Sequence, residues 1–338
     1  MTATNSVLDD RIAMVAACTT LGLPSGSPNR EDVLTNQEWN RLAQWLGTQQ
    51  MRPADLLYAG VADLNSAELD PQLALKAAAV ADRASMVALE LEQLGQTGIW
   101  TLSRIEEGYP RRWKARLKGA APPVIFGAGP VELADRPSIA IVGSREITDD
   151  LGEVANAIGL RAARAEMVVV SGGANGSDKF GMQGSLQADG CAVGLLPAGL
   201  ARGSRQRDVR AFIADGQLCL ISQVNPAAGF TVGNAMGRNR LIYALSDLTI
   251  VIATATGSGG TWAGATENLK RRWAPLAVWT GPGAPDGNGQ LQRLGAFPFP
   301  EAPSDRDDLL RLIEQATTHF LEGRPDDQSN QQLTIAGL

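Results

Sequence analysis

The chain has 338 residues, 44% hydrophobic and 20% charged, which predicts two packed domains, or one domain with a large extension, rather than a disordered chain. Its formal net charge of −6 means that nucleic acid could bind only at a locally basic surface. Three scattered cysteines and one histidine argue against disulfides, a zinc site or a Ser-His-Asp triad, so no metal and no cofactor is predicted. The N-terminus lacks a signal-peptide pattern and no apolar run reaches 18 residues, so we expect a soluble, cytoplasmic protein.

The first part of the chain, residues 1–100, is predicted to form a helical domain. Thr35 and Glu38 have the spacing of a capping box, in which each residue satisfies a backbone amide of the other. Asp70, followed by a proline, marks the start of a second helix. Apolar residues at helical spacing extend this second helix to about Gly95.

From residue 139 the pattern changes to short apolar runs that alternate with helical segments. Runs that are apolar throughout indicate strands covered on both faces, and strands alternating with helices indicate a parallel sheet. The runs are Ile139–Val142, Met167–Val170, Ala192–Leu196, Leu218–Ile221, Leu248–Ile252 and Leu276–Val278. We therefore predict an α/β fold in which residues 101–300 form a Rossmann-like, doubly wound, mostly parallel sheet, with ligands bound at the carboxyl ends of its strands.

The C-terminal part is predicted to contain a loop and one further helix. Residues 281–291 are rich in glycine and proline, which favours a loop. In the last segment, 301–338, Ser304 and Asp307 are candidates to cap a final helix, and the residues from Arg324 onward are a polar tail.

Glycine-rich turns follow the first two predicted strands. Glycine allows close backbone approach to a ligand, and an adjacent hydroxyl and guanidinium suit phosphate. The second turn places three glycines before a helix start, so amide groups and the helix dipole can face one anion. Its spacing is neither Walker A nor GxGxxG, and an ordinary strand-to-helix turn is the alternative. The residues assigned to phosphate contact here are Gly143, Ser144, Arg145, Ser171, Gly172, Gly173, Gly176 and Lys179.

A basic segment follows the third strand. Residues 199–272 contain nine basic and four acidic residues, a surplus of five within an acidic chain. This surplus predicts a local anion-binding face, with a set of independently solvated helix charges as the alternative. The basic residues are Arg202, Arg205, Arg207, Arg210, Arg238, Arg240, Lys270, Arg271 and Arg272. The further candidates for DNA or phosphate contact are Gly199, Arg238, Asn239, Arg240, Gly259, Gly260 and Thr261.

These strings together resemble the DprA/Smf family of DNA-processing proteins, within the Rossmann-like group called SLOG. The resemblance runs from Tyr109 to Pro282 through GYPRRW, APPVIF, IAIVGSR, VVVSGGANGSD, GLLPAGL, RNRLIYALSD and SGGTWAGATENL. It implies a homodimer that binds single-stranded DNA without covalent chemistry and helps to load RecA in DNA uptake, transformation or recombination. The matching positions are Gly143, Ser144, Arg145, Ser171, Gly172, Gly173, Gly176, Asp178, Gly199, Arg238, Asn239 and Arg240.

The sequence departs from the family pattern at several positions. Asn175 and Ser177 stand where the family commonly has arginine and isoleucine, and the segment from Ser258 to Glu267 leans towards the phosphoribohydrolase branch of the same group. Two alternatives therefore remain beside the DNA-binding hypothesis. One is a nucleotide-sensing or nucleotide-hydrolysing module with Glu267 as general acid or base. The other is a DNA-binding regulatory partner, such as an antitoxin in a defence system.

Aromatic residues bear on the DNA-binding hypothesis because unpaired bases stack on them. Only 5% of the residues are aromatic. Phe230 and Trp262 are the candidates for base stacking, and Trp262, Trp273 and Trp279 also suggest an apolar dimer surface in the Rossmann-like region.

Overall fold

A computed structural model of the protein describes residues 3–23, 33–64, 69–204 and 207–323. Arg205 of the predicted basic segment and the predicted polar tail from Arg324 lie outside the described residues, as does the side chain of Arg202.

A single sheet organises the described part of the chain. Its strands are β1 (Trp100–Ser103), β2 (Val124–Ala128), β3 (Ser138–Val142), β4 (Val168–Ser171), β5 (Ala192–Leu196), β6 (Leu218–Ser222), β7 (Leu248–Val251), β8 (Leu276–Trp279) and β9 (Phe297–Phe299). Their order across the sheet is β1-β2-β6-β5-β4-β3-β7-β8-β9. The strands from β6 to β9 in this order are parallel, whereas β2 pairs antiparallel with β6 and with β1.

Helices cover both faces of the sheet. They are α1 (Ala3–Cys18), α2 (Asn36–Thr48), α3 (Val61–Leu64), α4 (Pro71–Ala78), α5 (Val80–Gln96), α6 (Arg111–Leu117), α7 (Asp149–Arg164), α8 (Ser177–Leu186), α9 (Leu200–Gly203), α10 (Arg207–Ala214), α11 (Val232–Leu245), α12 (Gly259–Arg271), α13 (Asp286–Arg293) and α14 (Arg306–Glu322). Short 3₁₀ helices occupy Pro53–Leu57, Lys118–Ala120 and Val131–Asp135. None of the helices in the described ranges is long and apolar enough to cross a membrane.

The predicted Rossmann-like, mostly parallel sheet is confirmed. All six predicted strands are present as β3 to β8, and most of their residues are buried because helices lie on both sides. The chain moves from β3 to β6 in one direction and then returns to place β7 on the other side of β3. This reversal leaves a crevice at the carboxyl ends of β3 and β7, where doubly wound sheets bind ligands.

The helical character of the N-terminal region is also confirmed. Thr35 and Glu38 form the predicted capping box, and Asp70 accepts the amides of Gln72 and Leu73. The single long helix predicted after Asp70 is wrong, because the chain bends at Ala79 and divides it into α4 and α5. The apolar spacing hides this bend, since α4 packs on α2 and α3 whereas α5 packs on α1.

The N-terminal helices share an apolar core with the sheet. Trp39 and Leu42 of α2 belong to the same buried cluster as Phe126 of β2 and Leu220 of β6. Arg11 of α1 also forms an ion pair with the buried carboxylate of Glu106, just beyond β1. The helical region therefore packs directly against the antiparallel edge of the sheet.

The loop predicted at 281–291 is present only at residues 281–285, because α13 begins at Asp286. A Cβ atom at Gly287 would lie 2.1 Å from a main-chain carbonyl oxygen, so this glycine serves close packing. The buried amide of Asn288 donates to the carbonyls of Ile252 and Trp279, each at 2.8 Å. Glycine is therefore required here because α13 packs closely against the main chain beyond β7.

The final helix is present, but its predicted cap is wrong by one residue. Asp305 caps α14 by accepting the amide of Asp308 at 2.9 Å. The Ser304 amide and hydroxyl in turn donate to the carboxylate of Asp308. Both aspartates lie where the helix dipole favours a negative charge.

Candidate nucleic-acid interface

A cleft of about 630 Å³ opens at the crevice between β3 and β7. Its walls are the chain segments after β3, β4 and β7, one face of α11, and the N-terminus of α12. The amide of Ser144 donates to the carbonyl of Ala253 at 2.8 Å, which ties the ends of β3 and β7 together. Eight of the predicted contact residues line it: Gly143, Ser144, Arg145, Arg238, Asn239, Gly259, Gly260 and Thr261.

The N-terminus of α12 forms one wall of the cleft. Ser258 precedes the helix, and its side chain makes no capping hydrogen bond. Gly257 and Gly259 have φ angles of +70° and +85°, which glycine adopts without strain. Asn239 donates to the carbonyl of Gly260 at 3.0 Å and fixes this turn to α11. The uncapped amides and the positive end of the dipole therefore suit an anion.

Two arginines place positive charge in the cleft wall. Arg145 is exposed, and its guanidinium carbon lies 6.0 Å from the ring centre of Phe230. Arg238 is only 6% exposed, and its Nη1 donates to the carbonyl of Leu195 at 2.7 Å. Within the described residues, Nε of Arg238 has no hydrogen-bond partner. Burial lowers the pKa of Arg238, and the nearby carboxylate of Asp178 opposes that shift.

Apolar side chains lie beside these charges. Phe230, Val232 and Met236 line the cleft and are 54%, 72% and 45% exposed. Sequence reasoning identified Phe230 but missed Val232 and Met236, because single apolar residues at a helix start give no periodic signal. Trp262, the other stacking candidate, instead packs against the core beneath α11 and α12 and does not line the cleft.

The glycine turn after β4 is packed more tightly than the sequence suggested. Ser171 is buried and donates to the carbonyl of Ile141 at 2.7 Å. A Cβ atom at Gly172 would lie 1.9 Å from Nη1 of Arg238, and one at Gly176 would lie 2.3 Å from the carbonyl oxygen of Ser144. These three residues do not line the cleft, and their small size serves contacts within the protein.

Four other predicted contact residues also lie outside the cleft lining. Gly173 is exposed at a φ of +64°, and Lys179 is exposed on the first turn of α8. Gly199 donates to the carbonyl of Ala228, and a Cβ atom there would lie 2.1 Å from the carbonyl oxygen of Pro226.

Arg240, the fourth of these residues, points away from the cleft. It is partly buried, and burial lowers its pKa while the neighbouring Glu267 on α12 opposes that shift. Its Nε has no hydrogen-bond partner within the described residues. Arg238 and Arg240 are two positions apart on α11, so their side chains lie on different faces of this helix.

The basic residues of the 199–272 segment whose side chains the structure describes do not form one face. Lys270 and Arg271 end α12, about 18 Å along the helix from its N-terminus at the cleft. Arg272 donates to the carbonyl of Gly323 at 3.1 Å and stacks on Phe320. The charge surplus did not indicate a single basic face, because residues that are close in sequence can lie at opposite ends of one helix.

Comparisons with known proteins bear on the family and the fold. The profile of the family described as DNA recombination-mediator protein A matches residues 100–296. Among solved structures, DNA processing protein A (DprA) from Streptococcus pneumoniae is similar, with a TM-score of 0.66, 20% identity, and coverage of 83% of this chain and 94% of that one.

A second similar structure concerns single-stranded DNA binding by DNA processing protein A from Helicobacter pylori. It has a TM-score of 0.52 and 24% identity, and covers 64% of this chain and 96% of that one. No curated protein sequence gives a significant match. The two structures show the shared fold, and the profile spans more than half of the chain. On this evidence the chain belongs to the DNA recombination-mediator protein A family, the DprA family of DNA-processing proteins.

Proposed function

We propose that this protein binds single-stranded DNA in the cytoplasm, and that the strand lies in the cleft between the ends of β3 and β7. The observation that carries the proposal is the pairing of anion-binding groups with exposed apolar side chains in one cleft. Arg145, Arg238 and the uncapped N-terminus of α12 would contact phosphates, while Phe230 and Met236 would contact bases. The similarity to a protein with a described single-stranded DNA binding mode supports the proposal.

The apolar side chains of the cleft favour a single strand over a duplex. In a duplex the faces of the bases are stacked on each other and cannot contact Phe230 or Val232. Stacking and apolar contact tolerate every base, so binding should depend little on sequence.

Nucleotide hydrolysis is the less favoured function. Glu267, the carboxylate considered for acid or base chemistry, is exposed and does not line the cleft. Its charged neighbour is Arg240 on the other face of α11. Membership of a family of DNA-processing proteins also favours a role without catalysis.

The proposal predicts that labelled oligo(dT) binds more tightly than a duplex of equal length, and that AMP competes poorly. Affinity should fall steeply with salt, because each phosphate contact releases counterions. Fluorescence anisotropy at two salt concentrations measures the affinities for oligo(dT) and duplex, the competition by AMP and the effect of salt. Chromatography of AMP incubated with the protein detects any hydrolysis. Equal binding of duplex, or release of adenine from AMP, would contradict the proposal.

We also propose that the protein acts as a homodimer that helps to load RecA in DNA uptake or recombination, and family membership supports this. The tryptophans no longer support it, since Trp279 is buried against Phe299 and donates to the carbonyl of Pro282. Light scattering at micromolar concentration, with and without oligo(dT), is expected to give twice the mass of 35.6 kDa. A monomeric mass under both conditions would refute the dimer.

A further inference from the structure

A buried carboxylate forms part of the cleft lining. Asp178, on the first turn of α8, is only 6% exposed. Its Oδ2 accepts the main-chain amide of Gly172 at 3.1 Å. The amides of Ala174 and Gly143 also lie close enough to this carboxylate to oppose the rise that burial causes in its pKa. One side chain therefore lies against both the turn after β4 and the end of β3.

The same carboxylate faces the buried arginine of the cleft. A Cβ atom at Gly172 would lie 1.9 Å from Nη1 of Arg238 and 2.6 Å from Oδ2 of Asp178, so the main chain at Gly172 is wedged between the two groups. Tyr243, also on α11, lies near Asp178. Arg145 lies near Arg238. The segment after β3 also places the exposed carboxylate of Glu146 in the lining of the same cleft.

This arrangement changes which groups are free to bind phosphate. The glycine turn, which the sequence suggested as a phosphate cradle, already donates the amide of Gly172 to an anion that belongs to the protein itself. Gly143 is followed directly by Ser144 and Arg145, so the carboxylate also fixes the segment that carries the exposed guanidinium.

We infer that ionised Asp178 is a positioning residue for DNA binding: it holds Gly143, the turn after β4 and Arg238 in place, so that DNA phosphates bind Arg145 and the N-terminus of α12 instead of the glycine turn. This inference rests on the proposed function. Protonation would turn one carboxylate oxygen into a hydroxyl group, which donates a hydrogen bond and is a much weaker acceptor for an amide. The segment that carries Arg145 would lose part of its anchorage.

If Asp178 acts in this way, the affinity for DNA depends on pH with a distinctive sign. Burial raises the pKa of Asp178 to about 6, against the opposing effects of Arg238 and the three amides. The chain's single histidine, His319, is bonded to the carbonyl of Gly295 and does not line the cleft. General electrostatics would strengthen DNA binding as acidic groups become protonated at lower pH. Loss of the ionised Asp178 acts in the opposite direction, so the sign of the change separates the two effects.

The experiment measures oligo(dT) affinity from pH 7.5 to pH 5.5 at constant ionic strength, for the unaltered protein, Asp178→Asn, and the exposed control Asp215→Asn. With a pKa of about 6, roughly a quarter of Asp178 stays ionised at pH 5.5, so affinity should be about fourfold weaker there. Asp178→Asn should bind about tenfold more weakly at pH 7.5, by the loss of one hydrogen-bonded charge, and should show no further fall. The control should follow the unaltered protein.

Amide hydrogen exchange of the free protein tests the positioning role without DNA. Exchange at Gly172 and Ala174 should be slow at pH 7.5 and faster, after correction for intrinsic rates, in Asp178→Asn and at pH 5.5. Circular dichroism checks that Asp178→Asn is folded. If this variant is unfolded, the pH profile of oligo(dT) affinity in the unaltered protein tests the inference instead. Affinity that rises as pH falls, or unchanged affinity and exchange in the folded variant, would overturn the inference. Normal exchange behaviour without any oligo(dT) binding would refute the proposed function instead.

Discussion

Replacing Arg145 by alanine is expected to weaken oligo(dT) binding by about 10- to 150-fold, the equivalent of about 1.5–3 kcal/mol for one charge-assisted hydrogen bond. Arg145 is exposed at the cleft mouth, so it can reach a phosphate without moving the core. Its guanidinium lies near the ring of Phe230, at a distance where the two side chains can flank one nucleotide. The slope of log affinity against log salt should fall by about 0.7, the value for one phosphate contact with a single strand.

Arg271→Ala is the matched control for this prediction. Arg271 is also an exposed arginine, but it lies at the far end of α12 from the cleft. Both variants remove the same charge from the protein, so a difference between them isolates position from net charge. Equal affinity of the two variants, with normal circular dichroism, would remove the cleft mouth as the phosphate site.

Arg240 requires a different expectation from Arg145. The Arg-Asn-Arg string suggested that both arginines of α11 contact DNA, but Arg240 is partly buried against α12 and does not line the cleft. We expect Arg240→Ala to change stability more than DNA affinity. A sequence without structure cannot separate these two arginines, because neighbours two positions apart on a helix face different directions.

The regular parts of the fold could be predicted from the sequence because they depend on local patterns. The continuous apolar run of β3 and the capping box at Thr35 are examples, since burial on both faces and amide capping each require particular residues nearby. The strands β1, β2 and β9 were missed. Half of the residues of β1 are polar, and β9 is only three residues long and contains a proline, so neither strand gives a continuous apolar run.

The candidate site could be predicted only in part, for a related reason. The turn after β3 and the start of α12, which were both assigned to phosphate contact, lie at the crevice, and their contact with DNA stays a prediction. The glycines after β4 were assigned to a ligand, although a turn that packs against the protein's own groups, as Gly172 packs against Asp178, requires the same small residue. Which anion the turn surrounds is a property of the packed structure, not of the string.

The buried carboxylate leads to the last prediction, which concerns stability. The pKa of Asp178 is raised from 3.8 to about 6, chiefly by burial, so the folded state binds this proton more tightly than the unfolded state. The contribution of Asp178 to stability is therefore greatest at low pH and is lost as the pH rises through 6. Between pH 7 and pH 4.5, the free energy of unfolding should gain about 2 kcal/mol from this group.

Other carboxylates act outside this pH window. The pKa of Glu38 is lowered to about 2, because hydrogen bonds from Lys76 and Thr35 outweigh the opposing effect of burial. Its stabilising effect is complete above its unfolded pKa and is lost only as the pH falls from about 4.5 towards 2. The two groups therefore have opposite signs in separate ranges, and the range from pH 7 to 4.5 reports mainly on Asp178.

Urea denaturation at several pH values, followed by circular dichroism, measures this gain. The protein should be dilute, because its isoelectric point of about 5.0 lies within the range. Asp178→Asn should lose the gain and Asp215→Asn should retain it, whereas a flat profile in the unaltered protein would show that Asp178 titrates normally. If the free energy of unfolding rises at low pH while DNA binding weakens, then ionised Asp178 favours DNA binding and at the same time lowers the stability of the fold. Such a trade of stability for a charged, ordered site is common where function requires a perturbed group.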